Sequence, residues 1–235
     1  MSLFPDRPRP ILLGHRGVRE GVRENTLEAF RRALEAGLDG VELDVQRSAD
    51  GALVVYHDFW VPEGLLHRFT LAELRAMLPG LPTLEEVLEL FDAYPEAILN
   101  VELKSVPGFY DGRAEALARV LASWPGRRRV LVSSFDPVAL FVFREEAPGI
   151  PLGYLFLGRD TARLGMELGV EALHPRLDLV TPEKVAAWRE AGYFVAVWPA
   201  ATLEEARRAV RSGADAVIGG WPERLLKAKQ ELGHA

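Results

Sequence analysis

Apolar and polar residues follow two alternating periods along the chain. Short runs rich in β-branched residues, typical of buried strands, occupy residues 11–14, 40–45, 98–104, 130–134, 152–156, 172–174, 194–198 and 216–219. Stretches with a helical period follow them, at residues 26–36, 83–93, 113–123, 137–146, 161–168, 182–191, 203–211 and 222–231. Eight strand–helix units predict a parallel sheet and favour an α/β fold of the closed (β/α)8 TIM barrel type. A doubly wound open sheet is the alternative that periodicity alone leaves open. No composition shift or low-complexity linker divides the chain, so we expect residues 1–235 to form one domain.

One segment departs from this alternation, directly after the second strand. An Asp-Gly pair at residues 50–51 precedes another strand-like run at residues 52–57, which predicts a β-hairpin with an extra strand. If this pair forms a two-residue turn, His57 lies opposite Asp44, on the face that Asp44 shares with Glu42. A three-residue loop would turn His57 away, so the inference depends on the turn type.

Composition and charge narrow the class of partner. The formal net charge of −6 argues against nucleic acid, because proteins that bind it need a positive field to neutralise phosphates. With no cysteine in the chain, any metal must be held by oxygen or imidazole ligands. We find neither a secretory signal nor an 18-residue apolar run, so we expect a cytoplasmic protein without stable membrane association.

Polar side chains gather where the first three predicted strands end, which is where barrel enzymes hold their active sites. These side chains are His15 and Arg16 after the first strand, Glu42 and Asp44 on the second, His57 on the hairpin, and Glu102 and Lys104 on the third. Carboxylates at inward positions of strands cost several kcal/mol if unpaired, and a divalent cation is the simplest compensation. Three carboxylates suit a hard ion such as Mg²⁺, Ca²⁺ or Mn²⁺. Arg16 and Lys104 can balance phosphate charge, and the two histidines can act as general base and general acid.

The ordered motifs resemble the glycerophosphodiester phosphodiesterase family, within the phospholipase-C-like phosphodiesterase barrels. The motifs are Gly14-His15-Arg16-Gly17, Glu24-Asn25-Thr26, Glu42-Leu43-Asp44-Val45, His57-Asp58 and Glu102-Leu103-Lys104, and the match continues weakly through Ser134-Phe135-Asp136-Pro137 and Trp198. The resemblance implies one divalent cation, commonly Mg²⁺ or Ca²⁺, held by Glu42, Asp44 and Glu102. It also implies that His15 and His57 are the acid–base pair and that Arg16 and Lys104 lie near the phosphate.

The resemblance further implies a phosphoric diester hydrolase that converts glycerophosphodiesters to glycerol 3-phosphate and an alcohol. The glycerol 2-hydroxyl attacks phosphorus and expels the alcohol, and water then opens the cyclic phosphate. We favour His15 as the base of the first step, with the two roles exchanged in the second. The partner is then a small molecule, and the oligomeric state is not predicted.

Other residues near the predicted site have competing interpretations. We interpret Asn25 or Thr26 as the cap of the first helix rather than as a substrate contact. For Trp198 we favour packing on glycerol over plugging the barrel mouth. For Phe135 the sequence favours neither of these two roles. We interpret His174, at the end of the sixth strand, as a hydrogen-bonded structural histidine rather than as a residue that lines the site.

Two departures from the family's pattern bear on which alcohol group is preferred. Relatives often carry a sizeable cap after the His-Asp motif, whereas the segment around residues 59–70 is short, so any cap here is small or absent. Thr and Asn usually follow the seventh-strand Trp, and Thr-Asp usually ends the eighth strand. This chain has Pro199-Ala200 and Gly219-Gly220 at those places.

Two other functions remain in competition with this one. A phospholipase acting on lysophospholipid headgroups would need an apolar rim or a basic patch, and residues 59–62 are the one candidate for it. A noncatalytic barrel that binds metal or phosphate would not need both histidines.

Overall fold

The computed structural model describes residues 3–106, 108–158 and 161–233, and within them the chain forms a closed barrel of eight parallel strands. In chain order the strands are β1 (Ile11–His15), β2 (Gly40–Arg47), β3 (Leu53–Val55), β4 (Trp60–Val61), β5 (Gly64–Leu65), β6 (Ile98–Leu103), β7 (Val130–Ser134), β8 (Leu152–Phe156), β9 (Ala172–Pro175), β10 (Phe194–Val197) and β11 (Ala216–Gly219). The barrel order is β1-β2-β6-β7-β8-β9-β10-β11, and the pairing of β11 with β1 closes it. The (β/α)8 barrel is therefore confirmed and the open sheet is wrong.

Helices follow the barrel strands and cover the outside of the sheet. In chain order they are α1 (Leu27–Glu35), α2 (Leu71–Met77), α3 (Leu84–Asp92), α4 (Arg113–Ser123), α5 (Pro137–Glu146), α6 (Ala162–Glu167), α7 (Pro182–Glu190), α8 (Leu203–Arg211) and α9 (Pro222–Gly233). Thr26, Thr83 and Thr202 cap α1, α3 and α8 by accepting a hydrogen bond from a backbone N–H of the first turn. None of the described helices is both long enough and apolar enough to cross a bilayer.

The predicted hairpin is present, but its register differs by one residue from the one expected. β3 pairs antiparallel with the end of β2, and the N–H of Tyr56 donates to the carbonyl of Asp44 at 3.0 Å, so Tyr56 stands where His57 was predicted. The cause is a three-residue loop: Ser48 pairs with Ala52, and Gly51 adopts a left-handed φ of 93°. The two-residue turn and the pairing of His57 with Asp44 are therefore wrong.

The chain between β3 and α3 contains small elements that the periodicity did not predict. β4 and β5 form a two-stranded ribbon, a short 3-10 turn follows at Leu66–Arg68, and α2 completes the segment. Their apolar side chains form a separate cluster around Leu66 and Leu74, which packs beside β3. The segment is thus folded on its own small core.

Apolar side chains fill the barrel interior in its lower half, toward the N-terminal ends of the strands. We call this cluster the lower core; it consists of Ile11, Leu13, Ile98, Leu131, Ala172, Phe194, Ala196, Ala216 and Ile218. Phe4, from the segment before β1, packs edge-on against Phe194 with ring centroids 6.0 Å apart and closes the bottom. The polar inward-facing residues lie above the lower core. The strand pattern thus divides the barrel interior into an apolar end and an end that carries the candidate active site.

Candidate active site

Three acidic side chains meet at the upper end of β2 and β6. Glu42 and Asp44 lie two residues apart on β2, and the parallel register sets Asp44 beside Glu102 of β6. Each offers a carboxylate oxygen, and these oxygens lie within 4.8 Å of one another. All three residues are buried. Such a cluster of oxygen ligands fits a hard divalent cation.

Burial and mutual repulsion make this cluster unfavourable without a counter-charge. Burial, followed by the charge of Asp44, raises the pKa of Glu102 to about 7. Burial and the charges of Asp44 and Glu102 also raise the pKa of Glu42 well above its usual value. Burial alone would raise the pKa of Asp44, but Lys104 and Arg16 bring it below its usual value. Oδ1 of Asp44 has no hydrogen-bond partner among the described residues, as expected for an oxygen that faces a cation.

Two basic side chains flank the carboxylates. Nζ of Lys104 lies 2.9 Å from Oε1 of Glu102 and 3.5 Å from Oδ1 of Asp44. Nε of Arg16 lies 3.2 Å from Oδ2 of Asp44, and its Nη1 donates to Glu24 at 2.6 Å. Burial alone would lower the pKa of Lys104, but the charges of Glu102 and Asp44 raise it, so the side chain remains a cation. Both predicted phosphate ligands are thus held at the cluster.

Asn25 contacts this cluster, although sequence reasoning favoured a helix cap over a substrate contact for it. Thr26 is the cap of α1, whereas the buried Asn25 donates from Nδ2 to Oδ2 of Asp44 at 2.8 Å and accepts from the Asp44 N–H at 3.4 Å. Its own N–H donates to the carbonyl of Arg16 at 2.9 Å, and both Arg16 and Asn25 have a left-handed φ of 56°. Asn tolerates that conformation better than most residues, and the motif Glu24-Asn25-Thr26 was the other signal available in the sequence.

The two histidines lie in different surroundings around one cavity. Nε2 of His15, at the end of β1, is 3.8 Å from Oε2 of Glu42, and burial lowers the pKa of His15 to about 3. His57 lies on the loop after β3, where its side chain is 36% exposed and its Nδ1 is 2.6 Å from Oδ1 of Asp58. β3 ends at Val55, and the loop that follows brings His57 to the cavity. His57 therefore lines the cavity although its predicted pairing with Asp44 is wrong.

The cavity has a volume of about 160 Å³ and one apolar wall. Phe135 and Trp198 form part of that wall, with ring centroids 5.4 Å apart in an edge-to-face arrangement. Nε1 of Trp198 donates to the backbone carbonyl of His174 at 2.8 Å, which fixes the indole at the barrel mouth. Of the nine side chains proposed for the site, all line this cavity except Asp44, which lies fully buried beside Glu102.

The prediction that His174 is hydrogen-bonded through its ring is wrong. The side chain is fully buried at the cavity wall, and neither ring nitrogen has a partner within the described part of the chain. Burial lowers its pKa to about 3, which leaves the imidazole neutral. The ring occupies the space above Gly153, where a Cβ atom would lie 2.5 Å from Nε2. Sequence could not reveal this, because the glycine that makes room lies on a neighbouring strand.

Comparisons with known proteins show which family the chain resembles. The model of the glycerophosphoryl diester phosphodiesterase family matches residues 15–223. A glycerophosphodiester phosphodiesterase of Caldanaerobacter subterraneus subsp. tengcongensis is 33% identical over 243 aligned positions, which cover 96% of this chain and all of the relative.

Solved structures with the same fold include relatives at similar identity. A phosphodiesterase of Oleispira antarctica, in complex with the product sn-glycerol-3-phosphate, has a TM-score of 0.86 at 29% identity and covers 94% of this chain and 97% of its own. A glycerophosphodiester phosphodiesterase of Thermotoga maritima has a TM-score of 0.75 at 30% identity, covering 95% of this chain and 99% of its own.

Proposed function

This chain belongs to the glycerophosphoryl diester phosphodiesterase family, and from that premise we propose that it uses one divalent cation to hydrolyse glycerophosphodiesters to glycerol 3-phosphate and an alcohol. It is a phosphoric diester hydrolase, as its curated relatives are. The observation that carries the proposal is the cluster of three carboxylates, two of which line one cavity together with two imidazoles. A noncatalytic barrel would need no such pair of imidazoles. The sn-glycerol-3-phosphate bound by the Oleispira relative supports a small-molecule substrate.

The proposed cation site consists of Glu42, Asp44 and Glu102. The raised pKa values of Glu42 and Glu102 support it, and so does Oδ1 of Asp44, which accepts no hydrogen bond from the described residues, because a bound cation compensates all three. A bound divalent ion supplies Lewis acidity toward a phosphoryl oxygen. Mg²⁺ and Ca²⁺ are the preferred candidates and Mn²⁺ is also compatible, since all three are oxygen-seeking.

The proposed acid–base pair is His15 and His57. His15 is unprotonated and can accept the proton of the glycerol 2-hydroxyl when that oxygen attacks phosphorus. His57 can donate a proton from Nε2 to the departing alcohol, because Asp58 holds the opposite nitrogen and stabilises the charged imidazole. When water opens the cyclic phosphate, the two roles are exchanged.

The remaining proposed residues bind and orient the substrate. Lys104 and Arg16 compensate the phosphate charge, Arg16 through a planar guanidinium suited to two oxygens. Trp198 and Phe135 provide an apolar surface for the carbon atoms of glycerol.

A coupled assay for glycerol 3-phosphate tests this function with glycerophosphocholine, glycerophosphoethanolamine and glycerophosphoglycerol as substrates. We expect release that EDTA abolishes and that Mg²⁺, Ca²⁺ or Mn²⁺ restores. Release that is indifferent to chelation would disprove the cation, and no release from any of the three would disprove the substrate class. The variant His57→Ala should lose most turnover while the fold, measured by circular dichroism, is unchanged.

A further inference from the structure

His174 is a buried polar side chain to which the proposed reaction gives no role. It lines the active-site cavity, its exposed fraction is 0%, and neither ring nitrogen has a hydrogen-bond partner among the described residues. Two buried polar atoms without partners destabilise the fold, and an apolar ring at this position would not. The barrel also needs a glycine at position 153 to make room for the imidazole. A polar group kept under these conditions is expected to find its partner in a bound ligand.

His174 stands across the barrel from the acidic cluster. In the closed barrel β9 is four strands away from β2 in either direction, so the two strands face each other across the interior. Ala172, two residues earlier on β9, belongs to the lower core, so His174 forms the next inward layer above it. A phosphate held at the carboxylates of β2 and β6 therefore leaves the wall that carries His174 to another part of the substrate.

The depth of the side chains indicates that this other part is glycerol. The side chain of His57, the proposed proton donor to the departing alcohol, is 36% exposed, whereas that of His15, the proposed base for the glycerol 2-hydroxyl, is 13% exposed. The alcohol thus lies toward solvent and the glycerol toward the floor of the cavity, where His174 is more deeply buried than either. Because the 2-hydroxyl attacks phosphorus, the 1-hydroxyl is the glycerol group that remains to be bound.

The other groups near His174 offer little to a hydroxyl. Leu155 is apolar, Nε1 of Trp198 donates to the His174 carbonyl at 2.8 Å, and Oγ of Ser133 accepts from Asn100 at 2.8 Å. Burial lowers the pKa of His174 to about 3, so the imidazole is neutral and has one N–H and one free lone pair. A hydroxyl can pair with either nitrogen. Glycerol carbons that pack on the indole of Trp198 bring a hydroxyl to the neighbouring strand, β9.

We propose that His174 binds the 1-hydroxyl of the glycerol moiety and so selects phosphodiesters in which this hydroxyl is present and free. The inference rests on the proposed function and narrows its substrate class. The contact is a hydrogen bond, in which no proton is transferred and no covalent bond changes. His174 is thus a substrate-binding residue, separate from the acid–base pair. A substrate without the 1-hydroxyl leaves the imidazole unpaired, which weakens binding of the transition state.

The test compares choline release from glycerophosphocholine and from its 1-deoxy analogue, 2-hydroxypropyl phosphocholine. The two substrates share the attacking 2-hydroxyl and the leaving group and differ only in the 1-hydroxyl. We expect the wild type to prefer glycerophosphocholine by about 10–100-fold in kcat/KM, the effect of leaving one buried polar group unpaired. Titration calorimetry with glycerol 3-phosphate and 1-deoxyglycerol 3-phosphate should show a preference of the same direction without turnover.

Three variants separate a binding role from a structural one. His174→Phe keeps a ring but removes both nitrogens, and we expect it to turn over the two substrates with nearly equal kcat/KM. Its thermal midpoint should match or exceed that of the wild type, because the unpaired nitrogens are gone. His174→Gln, which keeps a polar end, should retain part of the preference. His67→Phe is the matched control outside the cavity, and it should prefer glycerophosphocholine as the wild type does.

The outcomes distinguish this inference from the proposed function. Choline release by the wild type without preference for the 1-hydroxyl overturns the role of His174 and leaves the proposed function standing. The same conclusion follows if folded His174→Phe keeps the full preference and loses activity equally on both substrates. If His174→Phe fails to fold by circular dichroism, His174→Leu and His174→Gln decide by the same comparison. Absence of choline release from both substrates by the wild type overturns the proposed function itself.

Discussion

Asn25 donates a hydrogen bond from Nδ2 to Oδ2 of Asp44 across 2.8 Å, from a backbone with a φ of 56°. This contact leaves the other oxygen, Oδ1, facing Lys104 and the acidic cluster. One oxygen of Asp44 is thus fixed to the loop before α1, and the second is free for a cation. The relationship makes Asn25 a positioning residue, which acts through Asp44 rather than on substrate.

The variants Asn25→Gly and Asn25→Ala distinguish the effect of losing the side-chain hydrogen bonds from the effect of backbone strain. Glycine keeps the left-handed backbone but removes both hydrogen bonds to Asp44, and we expect about 1–2 kcal/mol lower free energy of unfolding in urea. Alanine should cost about 1 kcal/mol more because it is strained at this φ. Both should weaken Mg²⁺ or Ca²⁺ binding about tenfold in titration calorimetry. Unchanged ion affinity in the glycine variant would contradict the positioning role.

The metal-free protein should lose stability as the pH rises from about 4.5 to about 7. The raised pKa of Glu102 means that, in this pH window, the folded chain keeps a proton that the unfolded chain releases. The contribution of Glu102 to the free energy of unfolding is therefore fully present at low pH and is lost as the pH rises through 7. Its size is on the order of 2 kcal/mol. Urea unfolding in EDTA at pH 5 and pH 8 measures it. Glu102→Gln should remove that part of the difference, and Glu167→Gln, an exposed control on α6, should not.

Asp58→Asn should lower kcat on glycerophosphocholine by about tenfold or more with little change in KM. An amide in place of the carboxylate weakens the hold on Nδ1 of His57 and no longer stabilises the charged ring. Steady-state kinetics measure the two constants separately. Glu96→Gln, a side chain 84% exposed before β6 at the other end of the barrel, is the control. Equal losses in both variants would remove Asp58 from the mechanism.

Gly153→Ala should destabilise the protein by about 1–3 kcal/mol, because the new methyl group meets the ring of His174. His174→Ala in the same chain should relieve that clash, so the two changes are not additive. Chemical unfolding of the two single variants and the double variant measures the coupling. Gly149→Ala, whose added Cβ has no neighbour within 4 Å, is the control. Additive losses would show that the ring does not depend on Gly153 for its space.

The strand pattern predicted the barrel because each unit carries its signal locally. Eight buried runs and their capped helices each fit within about thirty residues, and the closing pair, β11 with β1, follows once all eight are parallel. The clustering of Glu42, Asp44 and Glu102 could be predicted from the sequence as well. Side chains two residues apart on a strand share a face, and the ends of parallel strands meet at one edge. These features depend on period and order alone.

The features that the sequence did not reveal depend on single backbone angles or on distant neighbours. Asp-Gly is compatible with both a two-residue and a three-residue loop, and the left-handed Gly51 decides for the latter. The environment of His174 depends on Gly153, which lies on another strand. The cavity between the loop after β6 and the start of α5 combines two segments that are separate in sequence, so no single window of residues contains its pattern.

The lower core has a consequence for the order of events in a reaction cycle. Because the lower core fills the barrel below the cavity and Phe4 packs at its base, the pocket has no opening at the bottom of the barrel. Under the proposed function, the two products form in this pocket and leave through its opening at the barrel mouth, one after the other. In the proposed two-step reaction, the product nearer the opening leaves first, and the water for the second step enters the space that this product vacates.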